Sequence, residues 1–69
     1  MSQIKFLLNG EEKFLEKEIS VLQLIQELNL DIKKIAIEKN LEIILPQQFD
    51  EVLIDNDCKI EIVHFIGGG

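Results

Sequence analysis

The spacing of apolar residues shifts along this chain, and each shift marks an element. Ile4, Phe6 and Leu8 alternate with Lys5 and Leu7, the period of a strand with one buried face. Asn9-Gly10 follows, the dipeptide most favoured in tight hairpin turns. Residues 12–19 alternate weakly, which predicts a second, more exposed strand with Leu15 and Ile19 inward. At Ser20 the period becomes helical. Ser20 with Gln23 makes a capping-box pattern, and Val21, Leu24, Ile25 and Leu28 share one face while Gln23, Gln26 and Glu27 share the other. So short a helix is marginal alone and must be held by packing on a sheet.

A polar link around Asp31 to Lys34 leads to "IAIEKN", a third strand, with Asn40 starting a turn. "LEIIL" is a short return strand, stopped by Pro46, which cannot donate to a ladder. "PQQF" fits a turn of 3₁₀ helix that drops Phe49 onto the core. Residues 52–54 form a short extended piece, and Asp55-Asn56-Asp57 is a turn of residues that tolerate unusual backbone angles. The last strand runs from Lys59 to Ile66, with Ile60 and Ile62 facing one way and Glu61, Val63 and Phe65 the other. The order is β-β-α-β-β-β, an α+β domain in which one helix covers one face of a mixed sheet. Ile4, Phe6, Leu24, Ile25, Leu28, Ile35, Ile37, Phe49, Ile60 and Ile62 form the predicted core.

Composition narrows the functions open to this fold. With 69 residues, 46% of them hydrophobic and 29% charged, the chain is one small globular domain. There are four Phe and no Trp or Tyr, so the core is mostly aliphatic. A single Cys excludes an internal disulfide framework and fits a reducing compartment. The N-terminal apolar span is interrupted by Lys5 and is too short for a signal peptide or a membrane span, so a cytoplasmic location is expected. The net charge of −6, with seven lysines and no arginine, argues against nucleic acid and favours protein partners with basic surfaces.

Catalytic chemistry is nearly absent. One His and one Cys supply neither a zinc site nor a supported nucleophile, and no metal or bound cofactor is expected. No glycine-rich loop precedes a helix, which excludes a phosphate-binding loop. His64 reads as a partly exposed strand histidine, and Cys58 as an incidental thiol beside a turn. The chain is therefore expected to be acted on by an enzyme and not to be one. What stands out is its end: Gly67, Gly68 and Gly69 directly follow the last strand, in a chain with four glycines in all. A glycine run is either a frayed end or a segment meant to stay loose and thread a narrow channel.

Taken together, Asn9-Gly10, "SVLQLIQEL", "IAIEKN" followed by "EIILP", and Asp57 with "IEIVHFIGGG" resemble the ThiS family, the bacterial sulfur carriers of the thiamin pathway, over essentially the whole chain. The departures are Asn56-Asp57 for the usual Gly-Asp, Leu41 where the family often has Gly, Gln47 for a frequently basic residue, and a third terminal glycine. The resemblance implies a ubiquitin-like β-grasp fold over residues 1–66 and a flexible glycine tail at 67–69. It further implies that the carboxylate of Gly69 is adenylated with ATP by an activating enzyme related to ubiquitin activation. Sulfur, ultimately from a cysteine desulfurase, then gives a thiocarboxylate that serves thiazole synthase. Gly67 and Gly68 would let the tail thread into partner sites, and Val63, Phe65 and Ile66 would form the docking surface. Carriers for molybdopterin or cysteine synthesis, protein modifiers, and a non-covalent β-grasp interaction module are the alternatives.

Overall fold

A computed structural model describes residues 3–65, so Ile66, Gly67, Gly68 and Gly69 lie outside the described residues. Seven strands and one helix follow in chain order: β1 (Ile4–Leu8), β2 (Glu11–Leu15), β3 (Ile19–Ser20), α1 (Val21–Glu27), β4 (Ile35–Lys39), β5 (Glu42–Ile44), β6 (Leu53–Ile54) and β7 (Lys59–His64). Two single 3₁₀ turns, Ile32–Lys34 and Pro46–Gln48, fill the links on either side of the β4–β5 hairpin. The main sheet has the order β2-β1-β7-β4-β5, with β1 and β7 parallel and the other pairs antiparallel. It is a ubiquitin-like β-grasp, a mixed sheet with one helix packed on one face.

The core is where the two periods converge. Phe6 from β1, Ile60 and Ile62 from β7, Ile35 and Ile37 from β4, and Ile44 from β5 all face the helix and are buried. From the helix they meet Val21, Leu24 and Ile25, and Phe49 closes the layer from the turn after Pro46. Fully burying one such side chain contributes about 1.5–3 kcal/mol, so the aliphatic set carries the domain. Two expected core members differ. Ile4 is only half-buried at the sheet's end, and Leu28 is 41% exposed because the helix stops at Glu27 and Leu28 is its cap.

The helix is anchored at both ends by hydrogen bonds that its sequence dictates. The Ser20 hydroxyl accepts from the Gln23 N–H at 3.1 Å, and the Gln23 side-chain oxygen accepts from the Ser20 N–H at 2.9 Å. The next unpaired helix donors are taken from outside: Val21 N–H donates to the Val52 carbonyl and Leu22 N–H to that of Phe49. At the other end Asn29 adopts φ 59°, while its N–H donates to Gln26 and that of Leu30 to Ile25. This is a Schellman ending with Asn in the glycine position.

The second strand is shorter than expected. Pairing with β1 ends at Leu15, and Ile19-Ser20 pair instead with Leu53-Ile54 in a separate two-stranded sheet. Ile19 is inward as expected, but across from Ile54. Lys39 ties this small sheet to the main one: its ammonium donates to the Leu53 carbonyl at 2.7 Å and lies 3.4 Å from the Asp55 carboxylate.

Both main hairpins use two-residue turns with positive φ at both positions: Asn9 (50°) with Gly10 (85°), and Asn40 (51°) with Leu41 (71°). Leu41 is the anomaly. A leucine there strains its Cβ against the backbone, and at 76% exposure its side chain gains little in return. Leu41→Gly is expected to raise stability by about 0.5–1 kcal/mol in denaturant unfolding, the relieved strain exceeding the extra glycine entropy. In the same assay Leu24→Ala should cost about 2–5 kcal/mol, and Leu28→Ala less than about 1 kcal/mol.

Candidate functional site

No described residue offers a catalytic constellation, so the site has to be built around the strand that leads to the glycine run. Strand β7 lies in the middle of the main sheet. Its alternation buries Ile60 and Ile62 against the helix and turns Glu61 and Val63 to the open face. Across the ladder, Val63 sits opposite Ala36 and Glu61 opposite Glu38, while Glu38 sits opposite Ile43 on the other side. Val63 is 59% exposed, Phe65 60% and Ile43 70%, among the most exposed large apolar side chains described. Val63 and Phe65 are two of the three residues expected to form a docking surface. Ile66, the third member of that set, lies outside the described residues, as do Gly67, Gly68 and Gly69.

Phe65 has a second setting. Strand β5 leaves the sheet after Ile44 because Pro46 cannot extend the ladder, which leaves a notch beside the start of β4. Phe65 lies over this notch, with its N–H donating to the Lys34 carbonyl at 2.9 Å. The result is an open, mostly apolar groove of about 410 Å³, walled by Ile32, Ala36, Ile43, Leu45, Pro46 and Phe65. Residues 43, 45 and 46 were read from the sequence only as a return strand and its stop. No local signal places them beside Phe65, because the pairing that brings β5 near the end of β7 runs through β4.

Glu38 and Glu61 face each other directly on the open surface, a like-charge pair that disfavours the sheet slightly and gives the patch an acidic border. His64 is exposed, opposite Ile35. Cys58, by contrast, is buried among the core residues. Burial pushes its thiol pKa up, with the nearby Asp55 carboxylate adding to this, and the hydrogen bond to the Asp55 backbone only partly offsets the rise. A raised pKa favours the neutral thiol, and Cys58 is packed as core material. Among the described residues no group of three or more His, Cys, Asp or Glu could hold a metal, and no helix is long and apolar enough to cross a membrane.

The ThiS family profile matches residues 3–69. This chain belongs to the ThiS family. It is 42% identical over 64 residues to the sulfur carrier protein ThiS of Bacillus subtilis, covering 90% of this chain and 96% of that one. It is also 41% identical over 66 residues to a thiazole synthase of Paramagnetospirillum magneticum. That match takes in 96% of this chain but only 20% of the synthase, so the chain spans about a fifth of the length of the thiazole synthases it matches. Among solved structures, the crystal structure of the thiamine biosynthesis protein ThiS from Geobacter metallireducens superposes with a TM-score of 0.83 at 22% identity. It covers 96% of this chain and all of that one, a likeness of fold.

Phe65 is 60% exposed and adds little to the core, whereas Ile62 on the buried face of β7 belongs to it. Phe65→Ala is therefore expected to move the melting temperature by no more than about 2 °C, and Ile62→Ala to lower it by at least 10 °C. Thermal unfolding followed by circular dichroism distinguishes them. A collapse of the Phe65→Ala variant would make Phe65 a core residue.

Proposed function

We propose that this chain is a sulfur carrier for the thiazole ring of thiamin, with the sulfur held as a thiocarboxylate on Gly69. The observation that carries the reading is its likeness to the Bacillus subtilis sulfur carrier over nearly the full length of both chains. In the proposed sequence, an oxygen of the Gly69 carboxylate attacks the α-phosphorus of ATP in an activating enzyme and displaces pyrophosphate. A carboxylate is otherwise a poor electrophile, and the acyl adenylate makes AMP the leaving group. The terminal sulfur of a persulfide formed by a cysteine desulfurase then displaces AMP to give an acyl disulfide; an enzyme thiol attacks the other sulfur, leaving an enzyme disulfide and releasing the thiocarboxylate, which passes its sulfur to thiazole synthase. ATP belongs to the activating enzyme; the chain binds no cofactor and acts as a co-substrate, in the cytoplasm.

The geometry of the described residues supports this division of labour. Docking would use Val63 and Phe65 with Ile66, next to the segment that is modified, and the acidic border at Glu38 and Glu61 suits partners with basic surfaces. Gly67 and Gly68 have no side chains to obstruct passage into a closed site. The likeness to stretches of thiazole synthases favours thiazole formation over molybdopterin or cysteine synthesis.

The decisive assay incubates the chain with an activating enzyme, ATP and a sulfur source, and follows pyrophosphate release and intact mass. The mass should rise by the oxygen-to-sulfur difference only when Gly69 is present. Deleting Gly68 and Gly69 should abolish both signals and leave the melting temperature unchanged. A bulky residue at Gly68 should slow adenylation more than it perturbs folding, and Phe65→Ala should weaken partner binding. Unchanged sulfur loading in the truncated chain would overturn the carrier reading, and no loading of the intact chain would favour an interaction module.

A further inference from the structure

Strand β1 supports β7 over a very short length. The parallel register pairs only Leu7 with Lys59 and Leu8 with Ile60 before β1 turns into its hairpin. Asn9 takes over from there. Its backbone N–H donates to the Ile60 carbonyl at 2.9 Å. Its side-chain oxygen then accepts from the Ile62 N–H at 2.8 Å, and its side-chain nitrogen donates to the Ile62 carbonyl at 3.3 Å. A primary carboxamide carries one acceptor and a donor side by side, as a peptide unit does, so it can satisfy both backbone groups of one strand residue.

Beyond Ile62 the sheet narrows. Val63 and His64 pair with Ala36 and Ile35 of β4, while β5 has already left after Ile44. What remains is a two-stranded ribbon, which is marginal in isolation and free to twist. The Asn9 carboxamide is the last hydrogen-bonded support on the β1 side of β7 among the described residues. We propose that Asn9 is a positioning residue for the carrier terminus: its side chain stands in for a missing strand residue beside Ile62 and fixes the direction in which β7 leaves the sheet. The proposal rests on the sulfur-carrier reading. Val63 and Phe65, the docking residues in that reading, follow directly after Ile62, so a change of strand angle at Ile62 turns the surface that presents the terminus to the activating enzyme. Misplacing a reacting group by about 1 Å can cost about 100-fold in rate.

The molecule contains its own control. Asn40 occupies the same place in the β4–β5 hairpin, with φ 51° against 50° for Asn9. It grips the opposite end of the same strand, donating its N–H to the Lys59 carbonyl at 2.8 Å and accepting from the Lys59 N–H at 2.9 Å through its side chain. Glycine accepts positive φ, so Asn9→Gly and Asn40→Gly each keep the turn and remove only the carboxamide. Both should lower the melting temperature by similar amounts. Only Asn9→Gly should speed exchange of the Ile62 amide, by about tenfold, and lower the nitrogen-15 relaxation order parameters of Val63, His64 and Phe65.

In pyrophosphate release with the activating enzyme, Asn9→Gly should lower kcat/KM about three- to tenfold while Asn40→Gly leaves it unchanged. Asn9→Asp keeps the acceptor for the Ile62 N–H and should restore its protection and part of kcat/KM. Equal losses of kcat/KM in the two glycine variants would reduce Asn9 to a structural residue and overturn the proposal, as would an Ile62 amide indifferent to Asn9→Gly. Were the unmodified chain to release no pyrophosphate, the carrier reading would fall, and exchange and relaxation would still decide whether Asn9 directs the end of β7.

Discussion

The parallel pairing of β1 with β7 is the constraint around which this molecule is arranged. Parallel neighbours cannot be joined by a tight turn, so the chain between them must cross over one face of the sheet and return. Here that crossover includes the helix, and covering the face is what buries Ile60 and Ile62 of β7. The last strand is thereby placed in the centre of the sheet, with β1 on one side and β4 on the other. A terminal strand at a sheet edge could fray. This one is held by neighbours drawn from both halves of the chain.

Central placement matters for a carrier because the chemistry proposed for it needs no catalytic side chain. The fold has only to hold one end of the backbone firmly and offer a surface beside it. The two requirements divide the residues by face: Ile60 and Ile62 secure β7, while Val63 and, just past the strand, Phe65 stay exposed. Toward the end of β7 the sheet thins to two strands, the groove under Phe65 opens, and the Asn9 carboxamide replaces a strand neighbour.

Asparagine does unusual work here. Asn9 and Asn40 bridge to β7, Asn56 accepts from the Lys5 N–H at 2.9 Å, and Asn29 ends the helix. Three of these adopt positive φ, as does Asp57. Read along the chain, Asn9, Asn40 and Asn56 announce turns, and the turns are where they should be. Their second role, pairing with backbone 19 to 53 residues away, has no local signature, because nothing in a turn sequence says which strand will lie beside it. The same holds for Lys39, a plain strand lysine in sequence and a bridge to β6 in the fold.

Local pattern was enough to establish the helix and its cap, both hairpin turns, the two faces of β7 and most of the core, since period and turn chemistry act between near neighbours. It also pointed to the family, through a combination of short motifs that the ThiS profile bears out. Pattern did not settle where each element would find its partner. Ile19 was rightly inward but joined Ile54 in a second sheet, Leu28 fell past the helix end into solvent, and Cys58 became core. Nor did it foresee the groove beside Phe65 or the Asn9 clamp at Ile62. Each of these depends on distances between segments far apart in sequence, and hydrogen bonds and burial are set by such distances only once the chain has closed on itself.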